Sequence, residues 1–140
     1  MKPASKYSTF SSELRVRPDD IDMNNHVHNA RYFDYVLAAR YDQMERCYRV
    51  SMDEFIKLGY TWVVVSCYIE FKQPLGMGDT IIVNTGIDEV RATGVKVKFS
   101  IQKKESGLLC AEGNFEYALL NARSGKLTRI PAEIAEKYSI

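Results

Sequence analysis

Residues 20–48 read DIDMNNHVHNARYFDYVLAARYDQMERCY, and the change of pattern inside this stretch decides the fold. Its first nine residues are a polar, turn-forming run. From Asn29 onward the pattern becomes helical, with Phe33, Val36, Leu37, Arg40, Met44, Cys47 and Tyr48 recurring at steps of three and four. That spacing puts them on one face of a helix from about Asn29 to Tyr48. The segment has no Gly or Pro and is rich in Ala, Arg, Met and Leu, so local propensity agrees. Upstream, Phe10 to Val16 predicts a strand. The polar run therefore sits at a strand-to-helix junction, where a loop can aim several side chains at one point. The helix that follows presents free backbone N–H donors.

Working outward, Ser51 followed by Glu54 is a capping-box signature for a short second helix ending at Gly59. The period then shortens. Thr61 to Phe71 is β-branched and aromatic, and its continuous apolar middle, Trp62 to Val65, predicts a buried strand. Pro74, Gly76, Gly78 and Asp79 mark a turn. Thr80 to Val90, Gly94 to Lys104 and Leu108 to Leu120 predict three more strands, reversing near Arg91-Ala92-Thr93 and Glu105-Ser106-Gly107 as in a meander. Val95, Val97, Phe99 and Ile101 alternate with Lys96, Lys98, Ser100 and Gln102, giving that strand one buried and one wet face. Pro131 suits the first position of a short C-terminal helix. The order is strand, long helix, short helix, then four strands. It predicts an α+β fold, with an antiparallel five-stranded sheet wrapped around one long central helix.

A chain of 140 residues, 46% apolar, fits a single domain spanning 1–140. The net charge of +1 gives no general attraction to nucleic acid or anionic membrane. Cys47, Cys67 and Cys110 are odd in number, widely spaced and in no Cys-x-x-Cys pattern, so they read as buried, reduced thiols. The N-terminal segment lacks the apolar core of a secretory signal, and no apolar stretch approaches the roughly 20 residues that span a bilayer. The expectation is a cytoplasmic protein without membrane insertion.

Within the polar run, an acid, an amide and an imidazole fall at Asp22, Asn24 and His26. Asp and Asn are also favoured turn and capping residues, which offers a purely structural reading for each one alone. Three groups capable of polar chemistry within five residues, immediately before a helix, exceed what capping needs.

The run Asp20-x-Asp22-x-Asn24-x-His26-Val27-x-Asn29-x-x-Tyr32 resembles the motif of the hotdog-fold acyl thioesterases, around 4-hydroxybenzoyl-CoA thioesterase and the plant acyl-ACP thioesterases. The order of elements is similar over essentially the whole chain. The resemblance implies catalysis by the Asp-x-Asn-x-His segment, with the catalytic aspartate at Asp22. It also implies sheets paired edge to edge in a homodimer or dimer of dimers, with Thr61 to Phe71 lining a shared cleft. Two positions depart from the pattern. Pro74 and Leu75 stand where plant enzymes carry a Glu-Cys pair, and Asn29 stands where Tol–Pal-associated members tend to have a histidine.

Thioester hydrolysis needs an activated water or carboxylate nucleophile on one side of the carbonyl and donors for the developing oxyanion on the other. Asp22 fits general base or nucleophile. Backbone N–H groups around Asn29 fit the oxyanion site, Asn24 orients Asp22 or the water, and His26 polarises the carbonyl or protonates the departing thiolate. Asp20 divides between site and loop capping, and Tyr32 between substrate contact and packing on the sheet. Arg91, Lys96 and Lys98 are candidates for the phosphates of an acyl-CoA or acyl-carrier-protein substrate, against a plain solvated face. His26 and His28 lack a third nearby ligand, so no metal and no cofactor are expected. An enoyl-CoA hydratase reading is weakened because the imidazole follows Asp22 by four residues, not five, and no Pro follows Asn24. A non-catalytic acyl-binding or assembly module would keep the fold without needing this polar run.

Overall fold

A computed structural model describes residues 7–138; residues 1–6 of the amino-terminal segment read above lie outside it. Strand β1 spans Thr9–Arg15, followed by a 3-10 turn at Pro18–Asp20, then helix α1 at Asn29–Arg46 and helix α2 at Met52–Lys57. Strands β2 (Tyr60–Phe71), β3 (Thr80–Val90), β4 (Gly94–Lys103) and β5 (Leu109–Asn121) precede helix α3 at Ala132–Tyr138. The capping box forms in both directions: the Glu54 N–H donates to the Ser51 hydroxyl, and the Ser51 N–H donates to the Glu54 carboxylate. Gly59, at φ +90°, then lets the chain turn out of α2.

All five strands join one antiparallel sheet in the order β1-β3-β4-β5-β2, which curves around α1 as the resemblance implies. The β3-β4-β5 meander forms as its turn signals predict. The Pro74–Asp79 segment is a crossover instead, carrying the chain from the β2 edge to β3 on the far side.

β2 is consequently an edge strand, which corrects the buried reading of Trp62 to Val65. Only Trp62 is buried; Val65, Tyr68 and Phe71 are 61%, 56% and 47% exposed. An edge strand lacks a neighbour on one side, so even a wholly apolar run stays half open. The register slips by one between Val64, opposite Tyr117, and Ser66, opposite Glu116, leaving Val65 as a bulge. Cys67 lies just past it and is exposed, against expectation, because no described strand pairs with that edge; Cys110 is buried and Cys47 half-buried.

The buried face of α1 also differs from the apolar repeat. Tyr32, Tyr35, Val36, Ala39, Arg40, Gln43 and Met44 are buried, whereas Phe33 and Leu37 are only half so. The helix is rotated by polar stitching. Gln43, 0% exposed, donates to the Ser12 hydroxyl at 3.0 Å and the Val83 carbonyl at 3.4 Å, and accepts from the Thr85 hydroxyl.

Close strand approach leaves no room for a side chain at Gly113 in β5, opposite Ile69: a Cβ there would run into the Tyr68 carbonyl oxygen. Gly113→Ala should therefore push β2 off the sheet and cost about 1–3 kcal/mol, the usual penalty of overpacking. Denaturant unfolding measures this, and an unchanged midpoint would show that β2 shifts freely.

Candidate active site

The polar run folds as a tight loop pinned on three sides. The Asp22 N–H donates to the His26 carbonyl at 2.8 Å, and the Asn25 N–H to the Asp22 carbonyl at 3.1 Å. Asn25 sits at φ +60°, a left-handed conformation that Asn tolerates better than most residues. Val27 buries its side chain, 2% exposed, while its N–H donates to the Leu75 carbonyl at 2.8 Å. His26 bridges to Gly76, so the crossover segment forms the loop's outer wall.

Asp20 is 6% exposed and points into the protein. Its Oδ2 accepts from the Tyr35 hydroxyl at 2.7 Å, its Oδ1 lies 3.4 Å from Arg31 Nε, and its carbonyl accepts from the His28 N–H at 3.0 Å. Burial, followed by donation to this carboxylate, pushes the Tyr35 phenol up to about 12. Asp20 is thus an anchor that locks the loop to α1 through the side chains of Tyr35 and Arg31, and it does not line the Asp22 cleft. Tyr32 is likewise structural: it is 2% exposed, accepts from the Leu75 N–H at 3.1 Å and packs on Phe71 with ring centroids 5.1 Å apart.

Asp22 differs from both. Its Oδ1 accepts from the backbone N–H groups of Asn24 at 2.9 Å and His26 at 3.2 Å, which leaves Oδ2 without a hydrogen bond among the described residues. The His26 N–H does most to hold the carboxyl below its ordinary value of 3.8, aided by Asn24 and by the two imidazoles nearby, against a partial desolvation. The turn reading and the chemical reading of Asp22 are therefore compatible, because one oxygen shapes the loop while the other stays available.

Asp22, Asn24, His26, Asn29 and Tyr32 line one cleft of about 380 Å³ with Phe71, Lys72, Gln73 and Pro74. No side chain caps α1, and its first turn contains no acid, so its positive end is left open beside the cleft. Leu75, where the plant enzymes have cysteine, is fully buried in the core, while Pro74 faces the cleft.

Arg91, Lys96 and Lys98 do not join them. The site lies near the Thr80 end of β3, which pairs with Arg15, whereas Arg91 lies beyond the other end. Its guanidinium is held by Glu89 at 3.1 Å and Glu116 at 2.9 Å. Lys96 and Lys98 alternate with buried Val95, Val97 and Phe99, which puts them on the face of the sheet away from α1. The basic residue at the cleft is Lys72, 2.8 Å from Glu70, which sequence reading missed. Its only signal is its position, one residue beyond the end of β2. Among the described residues no cluster of three side chains suited to a metal ion occurs.

Residues 16–138 match the family model of the thioesterase-like superfamily. The long-chain acyl-CoA thioesterase FadM of Escherichia coli (strain K12) is 21% identical over 128 residues, covering 91% of this chain and 96% of that protein. Slr0204, a 1,4-dihydroxy-2-naphthoyl-CoA thioesterase from Synechocystis, superposes with a TM-score of 0.83 at 22% identity, covering 94% of this chain and 96% of the other. SAV2348 of Staphylococcus aureus, solved in complex with CoA, gives a TM-score of 0.84 at 20% identity over 97% of this chain and 85% of its own. With the hotdog architecture and a family match over nearly its whole length, the chain belongs to the thioesterase-like superfamily.

Proposed function

We propose that residues 1–140 form a single catalytic domain that hydrolyses acyl-CoA or acyl-carrier-protein thioesters, with the Asp22 cleft as its active site. The observation that carries this reading is the free oxygen of an ionised Asp22 standing beside the open N-terminus of α1. A thioester carbonyl between them meets a carboxylate on one side and backbone donors near Asn29 on the other. If Asp22 attacks, a C–O bond forms, the negative charge moves to the carbonyl oxygen, and its collapse breaks the C–S bond to leave a mixed anhydride that water hydrolyses to the free acid and the restored carboxylate. If water attacks directly, the same collapse releases the acid. In both routes water supplies the proton that the thiolate takes up, for which His26 is a candidate carrier. The lowered Asp22 carboxyl stays ionised, the state that direct attack and activation of a water both need.

The names of the relatives support this substrate class: one is a long-chain acyl-CoA thioesterase, another acts on a naphthoyl-CoA, and a third was solved with CoA. Lys72 is the residue at the cleft suited to a phosphate. The three cysteines are all free, and no helix among the described residues is long and apolar enough to cross a membrane. Both facts are consistent with the cytoplasmic assignment. The protein works as a homodimer, or dimer of dimers, through β2. This edge strand presents 12 residues, with Val65, Tyr68 and Phe71 exposed.

Asp22→Asn should stay folded and lose about 10²–10⁴-fold in free-thiol release from acyl-CoAs, the range for a positioned acid–base group. His26→Ala should lose less, since a thiolate leaves without full protonation; equal losses would make the imidazole the primary base. NMR titration of the Asp22 carboxyl should give a midpoint below 3.8. The sign follows from the donors: their stabilisation of the loop is complete above the unfolded carboxyl's pKa and is lost as pH falls through the lowered one. A midpoint above 3.8 would mean that the turn opens in solution. Light scattering from micromolar to nanomolar protein, with activity followed in parallel, should show a dimer whose loss abolishes turnover. A fully active monomer would rule out a shared site.

A further inference from the structure

Deeper along the same helix lies a second cavity, of about 210 Å³, lined by Leu37, Arg40, Tyr41 and Met44 of α1, Trp62 of β2 and Tyr117 of β5, among others. At the usual share of liquid volume it has room for about seven waters. Its one charged lining residue is Arg40, which is 5% exposed and forms no ion pair with any acid among the described residues. A buried guanidinium without a counter-charge is costly, and in proteins such charges are almost always paired.

Nor is Arg40 left loose. One of its five N–H donors goes to the Thr85 hydroxyl at 3.2 Å, and its plane lies 5.3 Å from the centre of the Tyr48 ring. Thr85 donates onward to Gln43, Gln43 to Ser12, and Ser12 to Asp42 at 2.6 Å. The first acid in this chain is three side chains away and already bound to Arg46 at 3.0 Å. The network therefore fixes the guanidinium in place and leaves its charge uncancelled. The Tyr117 hydroxyl, buried beside the same cavity, is close enough to the Arg40 guanidinium to interact with it and has no acceptor of good geometry. Arg40 and Tyr117 thus stand together at the cavity wall, with no acid among the described residues paired to the guanidinium.

We propose that this cavity receives the far end of the acyl chain, and that Arg40 selects acyl groups ending in a carboxylate over saturated chains of the same length. The inference rests on the thioesterase reading of the Asp22 cleft. Asn29 and Arg40 lie about 16 Å apart along α1 at 1.5 Å per residue, so only an extended acyl group reaches both. Its carboxylate would accept charge-assisted hydrogen bonds from the guanidinium and the Tyr117 hydroxyl, leaving the methylenes against Leu37, Met44 and Trp62.

The test compares kcat/KM for hexadecanoyl-CoA and for the mono-CoA ester of hexadecanedioic acid in the wild type, Arg40→Met and Tyr117→Phe. The wild type should prefer the carboxylated substrate by roughly ten- to a hundredfold, as expected for a hydrogen bond to a charged group. Arg40→Met should bring the ratio close to one, mainly through KM, and should raise Tm because it removes an unpaired buried charge. Tyr117→Phe should lower the ratio partway. A wild-type ratio at or below one overturns the proposal, and this outcome needs no variant to fold. Calorimetric binding of dodecanoate against dodecanol separates the two levels. Arg40-dependent preference for dodecanoate with no hydrolysis of any thioester supports the anion pocket and overturns the catalytic reading. Hydrolysis without that preference overturns the pocket alone.

Discussion

Gln43 sets the rotation of the helix on which everything else is built. Fully buried in the middle of α1, it reaches β1 through Ser12 and β3 through Val83 and Thr85. An apolar stripe alone tolerates rotation by tens of degrees, because dispersion and hydrophobic burial are not directional. Hydrogen bonds from one buried amide to two strands are directional, and leaving any of them unmade costs the full desolvation of the group. With the rotation fixed, Tyr35 faces Asp20, Tyr32 faces Leu75 and Arg40 faces the second cavity. Phe33 and Leu37 are left half-buried.

The catalytic loop is held by the same logic on a smaller scale. Asp20, buried, has both carboxylate oxygens engaged by α1 residues, whereas Asp22, two positions on, keeps one oxygen for the loop and one for the cleft. Two carboxylates of identical chemistry thus take different roles through burial alone. Backbone donors at Asn24 and His26, with the two imidazoles nearby, keep Asp22 charged. They leave the cleft's positive character to the helix end and Lys72.

Much of this was legible in the sequence because it is local. The α1 periodicity, the Ser51–Glu54 box, the meander and the Asp-x-Asn-x-His segment each declare themselves within a few residues. What the sequence concealed depends on partners far apart. The Gln43–Thr85 bond spans 42 positions, so nothing near Gln43 marks it as a core residue. Asp20 divides between site and loop capping in the sequence, and its partner Tyr35 is visible only once α1 is laid on the sheet. The apolar run at Trp62–Val65 looked interior because composition does not reveal strand order, and β2 pairs on one side only. Arg91, a basic residue at a strand reversal, reads as a candidate for the substrate's phosphates. The register carries it to the opposite end of β3 and gives it two acids of its own.

The bulge at Val65 acts as a phase shift in the two-residue period of β2. Before it, the even-numbered Trp62 and Val64 turn toward α1; after it, the odd-numbered Ile69 and Phe71 do, opposite Gly113 and Ala111. Without the extra residue, Glu70 would take the place of Phe71 under Tyr32, putting a carboxylate against the wall of the catalytic cleft. One unpaired position thus decouples the strand's two halves. The half beside the second cavity and the half beside Asp22 can each change without dictating which face the other presents.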